Sequence, residues 1–480
     1  MSFLEQLQIA LPEAILAVGL LLLVVVGAYA GRRALTFVTI GSAVLLTVAA
    51  IAAAWAPAGL AFAGALTSDS FSGFARAAIY LTTAVIVWLS DGWLRRVNNP
   101  RFEYPLLVLL AGLGMGVMAT ASDLIALYVG FELQSLALYV LCAFQRDDAK
   151  SSEAGLKFFV LGALSSGLLL FGLSLIYGFA GATDFAAIAA AVGANTSGVG
   201  TGVLFGLVFV VCALAFKVSA APFHMWTPDV YEGGPTPVVA FVGTASKYAT
   251  MILFARVLYE SFPGAIDQWR QVTAAIAVTT LAWGALGGLV QRNFKRLMAY
   301  SAITNMGYGL IALSAGTTSG LQGLLMFMAL YSIDTLGVFA CIMALSRQGR
   351  PMETLGELSG LAKVKPGIAI ALTLLMFSLM GIPPLTGFFA KFYALRAAYD
   401  AGLGWLAIYG LVASAVAAFY YLRVVKIMWF DPAPAQADAS PLETRAVAFA
   451  SAVFALPVVL VALAVLDPLA RNGAAALGLG

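Results

Sequence analysis

Four ionisable side chains lie inside long apolar stretches of a 480-residue chain in which only 10% of the residues are charged. Three are lysines, Lys217, Lys247 and Lys391, and the fourth is the carboxylic acid Glu132. A charge at the middle of a membrane costs about 2.5 to 3.5 kcal/mol on insertion scales, so several retained in one chain indicate a function. Burial disfavours the ammonium form of lysine, whereas a nearby carboxylate favours it. A lysine and a glutamate that approach and separate could therefore take up and release a proton.

For each of these four residues, a purely structural explanation has to be compared with the functional one. Lys247 lies near the middle of its apolar stretch, in TASKYATM, and would have to reach about two helical turns to bring its ammonium group to the surface. Glu132 is equally central, in YVGFELQSLALY, and its side chain is shorter. Lys217 and Lys391 lie beside predicted helix breaks, where polar backbone is already exposed. Proton relay is the favoured interpretation for all four.

Three further polar residues have more evenly balanced interpretations. Lys157 lies only a few residues inside its predicted helix, so an anchor at the membrane interface competes with a place on a proton path. Asp334 is central in its helix, which suits a place on a proton path. A neutral, hydrogen-bonded acid in the protein core would be found at the same position. His224, the single histidine, is interpreted as structural because its context, HMWTPD, is typical of a helix end at the membrane surface.

The composition excludes a soluble globule. Hydrophobic residues make up 62% of the chain, the mean hydropathy is +0.95, and apolar runs of roughly 20 residues recur throughout. The net charge of +3 is spread over the loops instead of forming a basic stripe, which argues against a nucleic-acid partner. The chain is therefore predicted to be a polytopic protein of the lipid bilayer.

No redox centre or metal site is predicted in this chain. Cys142, Cys212 and Cys341 are widely separated in apolar segments, with no spacing that would hold zinc, haem or an iron–sulfur cluster. A single histidine cannot supply a multi-histidine metal site, and no glycine fingerprint for a dinucleotide is present. Any energy-supplying chemistry must then come from other proteins.

A window of about 20 residues predicts an all-α protein with about fourteen transmembrane helices. They lie near 11–28, 34–55, 71–90, 104–121, 123–144, 153–180, 202–226, 237–259, 270–290, 297–315, 320–345, 367–399, 403–430 and 443–466. The loops are short, so residues 1–480 are predicted to form a single membrane domain. An even number of spans puts both termini on one side. Because most lysines and arginines fall on alternate loops, those loops are expected to face the cytoplasm and both termini to face outward.

Two of the predicted helices share unusual features that indicate an internal repeat. The seventh carries Lys217 five residues before Pro222, and the twelfth carries a Gly-Ile-Pro-Pro run before Lys391. Five spans separate them, and because five is odd, the second unit must be inverted relative to the first. We predict five-helix repeats at 104–259 and 269–430, with broken seventh and twelfth helices. An ordinary proline kink in a tilted helix is the alternative interpretation.

Three stretches resemble a known family. They are AFKVSAAPFHMWTPDVYEGGPTPVVAFVGTASK, RNFKRLMAYSAITNMGYGLIAL and MFSLMGIPPLTGFFAKF. Together with the span count, they resemble the antiporter-like subunit N family of proton-pumping NADH:quinone oxidoreductase, respiratory complex I, over essentially the whole chain. The most specific element is PDVYEGGPTPVVAFVGTASK, which Mrp-type cation/proton antiporter subunits and the sister subunits L and M share only in part.

The resemblance implies a role for each embedded charge as well as fourteen helices with inverted repeats. By motif match, Glu132 would be the carboxylate that modulates Lys217. Lys247 would be the central relay lysine, and Lys391 would be the terminal lysine of the output half-channel.

The same resemblance implies partners and cofactors outside the chain. NAD, FMN, iron–sulfur clusters and a quinone would be bound by other subunits, and K- and M-type membrane subunits would be its neighbours. The location would be a bacterial inner membrane, and the Lys/Arg bias of the loops predicts that both termini are on its periplasmic side. Where subunits L and M often carry histidines, this chain has Asn305 and Asp334, so its connecting path would depend on water and on Tyr, Ser or Asp groups. The alternatives are an Mrp-type antiporter subunit, a membrane-bound hydrogenase relative and a purely structural scaffold.

Overall fold

Almost all regular structure in the computed structural model is helical, and the structure describes residues 2–193, 200–432 and 437–478. In chain order the α-helices are α1 Phe3–Ile9, α2 Leu11–Ala30, α3 Leu35–Trp55, α4 Ser70–Arg96, α5 Glu103–Thr120, α6 Leu124–Cys142, α7 Ala149–Ala180, α8 Phe185–Gly193, α9 Thr201–Lys217, α10 Thr227–Gly233, α11 Thr236–Phe241, α12 Lys247–Arg256, α13 Ile266–Leu289, α14 Phe294–Ser314, α15 Thr318–Met343, α16 Leu361–Val364, α17 Pro366–Met380, α18 Thr386–Asp400, α19 Gly404–Phe430, α20 Leu442–Ala455 and α21 Val459–Leu477. Two short antiparallel hairpins pair β1 Gly59–Ala61 with β2 Leu66–Ser68, and β3 Ser346–Arg347 with β4 Arg350–Pro351.

The helices confirm the predicted class, an all-α polytopic membrane protein. Within the described residues, 11 helices are long and apolar enough to cross a membrane, and α9 and α17 are shorter apolar helices. The count of fourteen and the two inverted repeats stay predictions, because the count depends on which interrupted helices are joined into one span.

The two predicted helix breaks are present. α9 ends at Lys217, and α10 begins only at Thr227. α17 ends at Met380, and α18 begins at Thr386. Proline has no backbone N–H to continue the helical ladder, and irregular backbone at membrane depth is tolerated where protein surrounds it. Both interruptions therefore free backbone carbonyl groups inside the protein.

The structure also contains interruptions that the apolar pattern did not predict. The predicted helix 237–259 contains a π-helical turn, Val242–Ser246, between α11 and α12, and a second π-turn follows α12. The predicted helix 443–466 is divided into α20 and α21, with Pro457 in the gap, and α21 continues to Leu477. The short helices α1 and α8 were not predicted either. These features do not alter the average hydropathy of a 20-residue window, so that window cannot detect them.

The centre of the protein is formed by the segment 236–261 and by α15. The most apolar window of 236–261 is completely buried and that of α15 almost completely, whereas no more than 39% of the residues in those of α2, α3 and α21 are buried. Lys247 and Asp334 lie on the two central elements. Both side chains are 0% exposed, so these two groups, which the sequence singled out, have no access to lipid or solvent.

A buried ion pair joins the first helices. Arg76 on α4 is completely buried, and its guanidinium lies 3.1 and 3.2 Å from the two carboxylate oxygens of Glu13 on α2. Tyr80 donates to the same carboxylate at 3.0 Å, and Arg76 donates to Ser68 Oγ at 2.9 Å. The ion pair and these hydrogen bonds connect α2, α4 and the first hairpin.

Removing one partner of this pair should destabilise the fold. We expect Glu13→Gln to lower the free energy of unfolding by about 3 to 5 kcal/mol, because it leaves a buried guanidinium without its counter-charge. The matched control is Glu103→Gln, since Glu103 is exposed at the start of α5. Thermal unfolding of the purified protein in mild detergent measures both variants. An equal, small shift in both would contradict a stabilising role for the pair.

Candidate functional site

The three embedded lysines share one structural setting. Lys217, Lys247 and Lys391 are 2%, 0% and 7% exposed, and each lies next to an interruption of regular helix. Within the described ranges, none of them has a carboxylate within 4.0 Å, although twelve ion pairs are present elsewhere. An aromatic ring lies about 5 Å from each ammonium group, at a distance suitable for a cation–π contact. Aromatic faces and neutral polar groups thus surround these charges.

Lys217 is the last residue of α9, at the first interruption. Its ammonium group donates a hydrogen bond to Ser135 Oγ on α6 at 2.8 Å. The rings of Phe131, Tyr139 and Phe158 lie 5.1 to 5.2 Å from the same nitrogen. The lysine is therefore held against α6 by a single neutral acceptor and an aromatic cage.

Glu132 lies on α6, one helical turn before the serine that Lys217 contacts. One of its carboxylate oxygens, Oε1, is buried and has no hydrogen-bond partner in the described part of the chain. Glu132 and Lys217 do not form a direct ion pair in this conformation, yet they lie close enough to interact electrostatically. Residues three apart on a helix share a face, so Glu132 and Ser135 approach Lys217 from the same side.

Lys247 is the first residue of α12, directly after the π-turn Val242–Ser246. Its ammonium group has no hydrogen-bond partner among the residues that the structure describes, and it lies 5.5 Å from the centre of the Tyr231 ring. The Tyr231 hydroxyl is also buried without a partner there. Buried polar atoms of this kind require a partner such as an internal water. π-turns within α-helices occur frequently at functional sites.

Lys391 on α18 points back towards the second interruption. Its ammonium group donates to the Met380 carbonyl at 3.0 Å and to Ser414 Oγ at 2.9 Å, and it lies 4.9 Å from the centre of the Tyr308 ring. The Met380 carbonyl is available because α17 ends there. Gly381 has φ +97°, and a Cβ at that position would lie only 3.3 Å from Lys391 Cδ. Glycine permits both the left-handed turn and the close approach of the lysine.

Asp334 lies on α15 and faces the same interruption. Ser378 of α17 donates to its Oδ2 at 2.6 Å, and Ser378 in turn accepts from the backbone N–H of Gly387 on α18 at 2.9 Å. The other oxygen of Asp334 is buried and has no partner within the described residues. Ser378 therefore links the two halves of the interrupted helix, and it connects them to Asp334.

Asn305 occupies a separate polar cluster on α14. Its amide donates to the Ser301 carbonyl at 2.9 Å and to the Tyr421 hydroxyl at 3.3 Å, and Ser301 and Tyr421 are themselves 2.6 Å apart. These side chains are neutral hydrogen-bonding groups in a buried site. That the connecting path depends on water and on Tyr, Ser or Asp groups stays a prediction.

Lys157 differs from the other lysines because it belongs to a charged cluster near the start of α7. It forms ion pairs with Glu153 at 2.6 Å and Asp229 at 2.8 Å, and its side chain is 42% exposed. Arg296 completes the cluster, 2.7 Å from Asp229 and 3.2 Å from Glu232. Partial burial opposes the charged form of Asp229, but hydrogen bonds from Lys157 and Arg296 hold the pKa of that carboxyl below its usual value. The cluster borders a cavity of about 210 Å³.

Several residues at the site were not identified from the sequence. The polar neighbours of the lysines are Ser135, Gln134, Ser246, Tyr231 and Ser414. Small polar residues are common in apolar helices, so nothing in their local pattern separates them from ordinary core residues.

Arg76 and Arg256 were missed for another reason. Both are completely buried and paired with acids, Arg256 lying 2.8 Å from Asp69. Each lies within a few residues of an end of its predicted helix, 71–90 or 237–259, so the rule that selected the lysines, a charge at the middle of an apolar stretch, did not select them. No group of three or more His, Cys, Asp or Glu side chains able to hold a metal ion occurs within the described residues.

Comparison with known proteins gives a consistent result. The family model described as "NADH:quinone oxidoreductase/Mrp antiporter, TM" matches residues 121–417. A protein of a Caulobacter species described as NADH-quinone oxidoreductase subunit N is 60% identical over 393 residues, 81% of each chain. The protein with the same description from Rhodospirillum rubrum is 50% identical over 434 residues, 90% of this chain and 89% of that one.

Solved structures with the same fold include a chain of respiratory complex I from Thermus thermophilus with bound aureothin. It is 32% identical, with a TM-score of 0.81, and the match covers 96% of this chain and 99% of that one. A chain of the Mrp complex from a Dietzia species has a TM-score of 0.86 at 24% identity, over 99% of this chain and 98% of that one. At 24% identity, the similarity to the Mrp chain concerns the fold alone.

Proposed function

The chain belongs to the subunit N family of NADH-quinone oxidoreductase, an antiporter-like membrane subunit of complex I, and on that premise we propose that it translocates protons through its buried charged residues. The residues assigned to this task are Glu132, Lys217, Lys247 and Lys391. Asp334 and Lys157 are assigned supporting positions on the path.

The observation that supports this proposal is the common setting of the three lysines. Each ammonium group is buried, has no carboxylate within 4.0 Å in the described structure, and lies beside interrupted backbone. A purely structural lysine in the membrane would be expected to pair with an acid or to reach the interface. A buried lysine held by neutral acceptors can instead exchange its proton when a nearby charge moves.

The proposed order of the glutamate and the three lysines is the one that the resemblance to the subunit N family implies. Glu132 acts on Lys217 across one turn of α6, and Ser135 accepts the hydrogen bond of the lysine. Lys247 is the central relay. Asp334 is the intermediate acceptor before Lys391, because it binds the broken helix on whose second half Lys391 lies. Moving a unit charge against 100 mV costs about 2.3 kcal/mol, which the rearrangement of buried charges can supply.

Lys157 is proposed as the entry to this path. It borders a cavity whose other charged side chains include Asp229 and Arg296, on the side where most basic loops lie. Its exposure and its two carboxylate partners permit exchange with water, and the anchoring function at the interface is compatible with the same contacts.

We further propose that residues 104–259 and 269–430 are inverted repeats of one membrane domain. Support comes from the interrupted helix and lysine in each: Lys217 beside the gap after α9, and Lys391 beside the gap after α17. Broken helices at the interface of inverted repeats are a common way to build an ion site at the middle of a membrane.

The complex would supply the redox chemistry. NAD, FMN, iron–sulfur clusters and quinone belong to partner subunits in this proposal, with K- and M-type membrane subunits as neighbours. The chain would lie in a bacterial inner membrane with both termini periplasmic, since most of its basic loops are on the opposite side.

Co-purification tests this assignment against an Mrp-type antiporter. The tagged chain, extracted in mild detergent at native abundance, is expected to elute with bound flavin and with the absorbance of iron–sulfur clusters, and the eluate should oxidise NADH. Elution with membrane partners only, without flavin or iron, would contradict a place in complex I. The high identity to subunit N proteins favours the first outcome.

A further inference from the structure

Two consecutive residues of α6 make hydrogen bonds at two different lysine sites, one to Lys217 and one to the residue before Lys247. Ser135 Oγ accepts the hydrogen bond of Lys217 at 2.8 Å, whereas Gln134 donates its amide Nε2–H to Ser246 Oγ at 2.7 Å. Ser246 directly precedes Lys247 and closes the π-turn. Neighbouring residues on an α-helix point about 100° apart, so a single turn of α6 contacts the surroundings of both lysines.

The buried atoms around this contact are chemically complementary. Gln134 is completely buried, and its Oε1 has no hydrogen-bond partner among the described residues. The same holds for the donor Nζ of Lys247 and for the hydroxyl of Tyr231. Lys247 follows Ser246 in the chain, and the ring of Tyr231 lies 5.5 Å from its ammonium group. Each of the three buried atoms requires a partner, and an internal water can supply one.

The backbone around Gln134 is held tightly. A Cβ on Gly114 of α5 would lie 2.7 Å from the backbone nitrogen of Gln134, and a Cβ on Gly130 would lie 2.9 Å from the backbone nitrogen of Met118. The two glycines therefore let α5 and α6 approach closely at this level. Gln134 is carried on a rigid support, and its hydrogen bond holds the π-turn that places Lys247.

We propose that Gln134 is a positioning residue that connects Lys217 to Lys247. Its amide nitrogen holds Ser246, and through it the start of α12, while its free carbonyl oxygen orients the water that passes the proton between the Ser135 side and the Lys247 ammonium group. An amide suits this task because it offers both a donor and an acceptor and does not itself take up the proton. The inference rests on the proposed function and adds a connection between two of its residues.

The test uses the whole complex in inner-membrane vesicles with Gln134→Leu, which keeps the approximate volume and removes both polar atoms. We expect coupled NADH:quinone turnover per assembled complex to fall roughly tenfold, less than the 100-fold or greater loss that follows removal of a group which itself transfers the proton. The solvent isotope effect on turnover in deuterated buffer should increase, since proton passage becomes slower than the other steps. Gln134→Glu, which keeps the acceptor oxygen, should restore part of the rate.

Ser246→Ala should lower turnover and increase the isotope effect in the same way. The double variant with Gln134→Leu should have a turnover close to that of the worse single variant, because both substitutions break the same contact. The matched control is Gln322→Leu, which removes an interhelical amide hydrogen bond of 2.7 Å to Asp467. It should leave turnover and the isotope effect as in the wild type.

The outcomes separate this inference from the proposed function. If Lys247→Ala stops pumping but Gln134→Leu has the wild-type turnover and isotope effect per assembled complex, the connection through Gln134 is wrong. A reduced amount of complex with unchanged turnover per complex would show a structural role only, and would also overturn it. If the Lys247→Ala complex itself pumps normally, the proposed function is wrong, and the inference about Gln134 is wrong with it.

Discussion

Lys247→Ala is expected to abolish or sharply reduce proton pumping and coupled quinone reduction by the assembled complex. The reason is that Lys247 is completely buried at the centre of the protein, where its ammonium group is the central proton carrier of the proposed path. NADH oxidation with an artificial acceptor should persist, because it needs only the peripheral subunits. Pumping is measured by acidification of inverted membrane vesicles, and assembly by native electrophoresis.

Two further substitutions serve as controls. One keeps a positive charge at position 247, and the other removes an exposed lysine elsewhere. Lys247→Arg should restore little activity, because a guanidinium does not release its proton at any accessible pH. Lys426→Ala should pump normally, because Lys426 is a largely exposed residue paired with Asp431 at the end of α19. Normal pumping by an assembled Lys247→Ala complex would exclude Lys247 as the relay.

Glu132 and Lys217 are expected to act as one unit. Glu132→Gln removes the charge that acts on Lys217, and Lys217→Ala removes the group on which it acts. In a double-mutant cycle on coupled turnover, the double variant should therefore lose about as much activity as the worse single variant. Glu132→Asp keeps the charge on the same face of α6 and should retain partial activity.

Additive losses would give the opposite conclusion. If the double variant loses the product of the two single effects, Glu132 and Lys217 contribute independently, and the electrostatic coupling is wrong. Glu443→Gln with Lys217→Ala is a suitable control cycle, because Glu443 lies in the first turn of α20, outside the proposed path. That cycle should show no coupling.

The sequence by itself determined the class of the protein and two of the places where its helices are interrupted, after α9 and after α17. Both depend on local chemistry. Runs of apolar residues require a bilayer, and Pro222 and the Gly-Ile-Pro-Pro run remove backbone donors wherever they occur. The embedded lysines were identifiable for the same reason, since the cost of a charge at mid-membrane depends chiefly on its depth in its own helix. The resemblance to the subunit N family, also read from the sequence, is confirmed by the relatives.

The tertiary structure decided which neutral groups meet the lysines. Ser135 lies 82 residues from Lys217, and Gln134 lies 112 residues from Ser246. Hydropathy and spacing describe one helix at a time, so they carry no information about which serine or glutamine of another helix will face a given lysine. The π-turn before Lys247 was not predicted either. Its residues, Val242–Ser246, include the weak helix formers glycine and threonine, but a hydropathy window does not distinguish a π-turn from an α-helical turn. Contacts between distant helices are set by how whole helices pack, and that arrangement exists only in the folded protein.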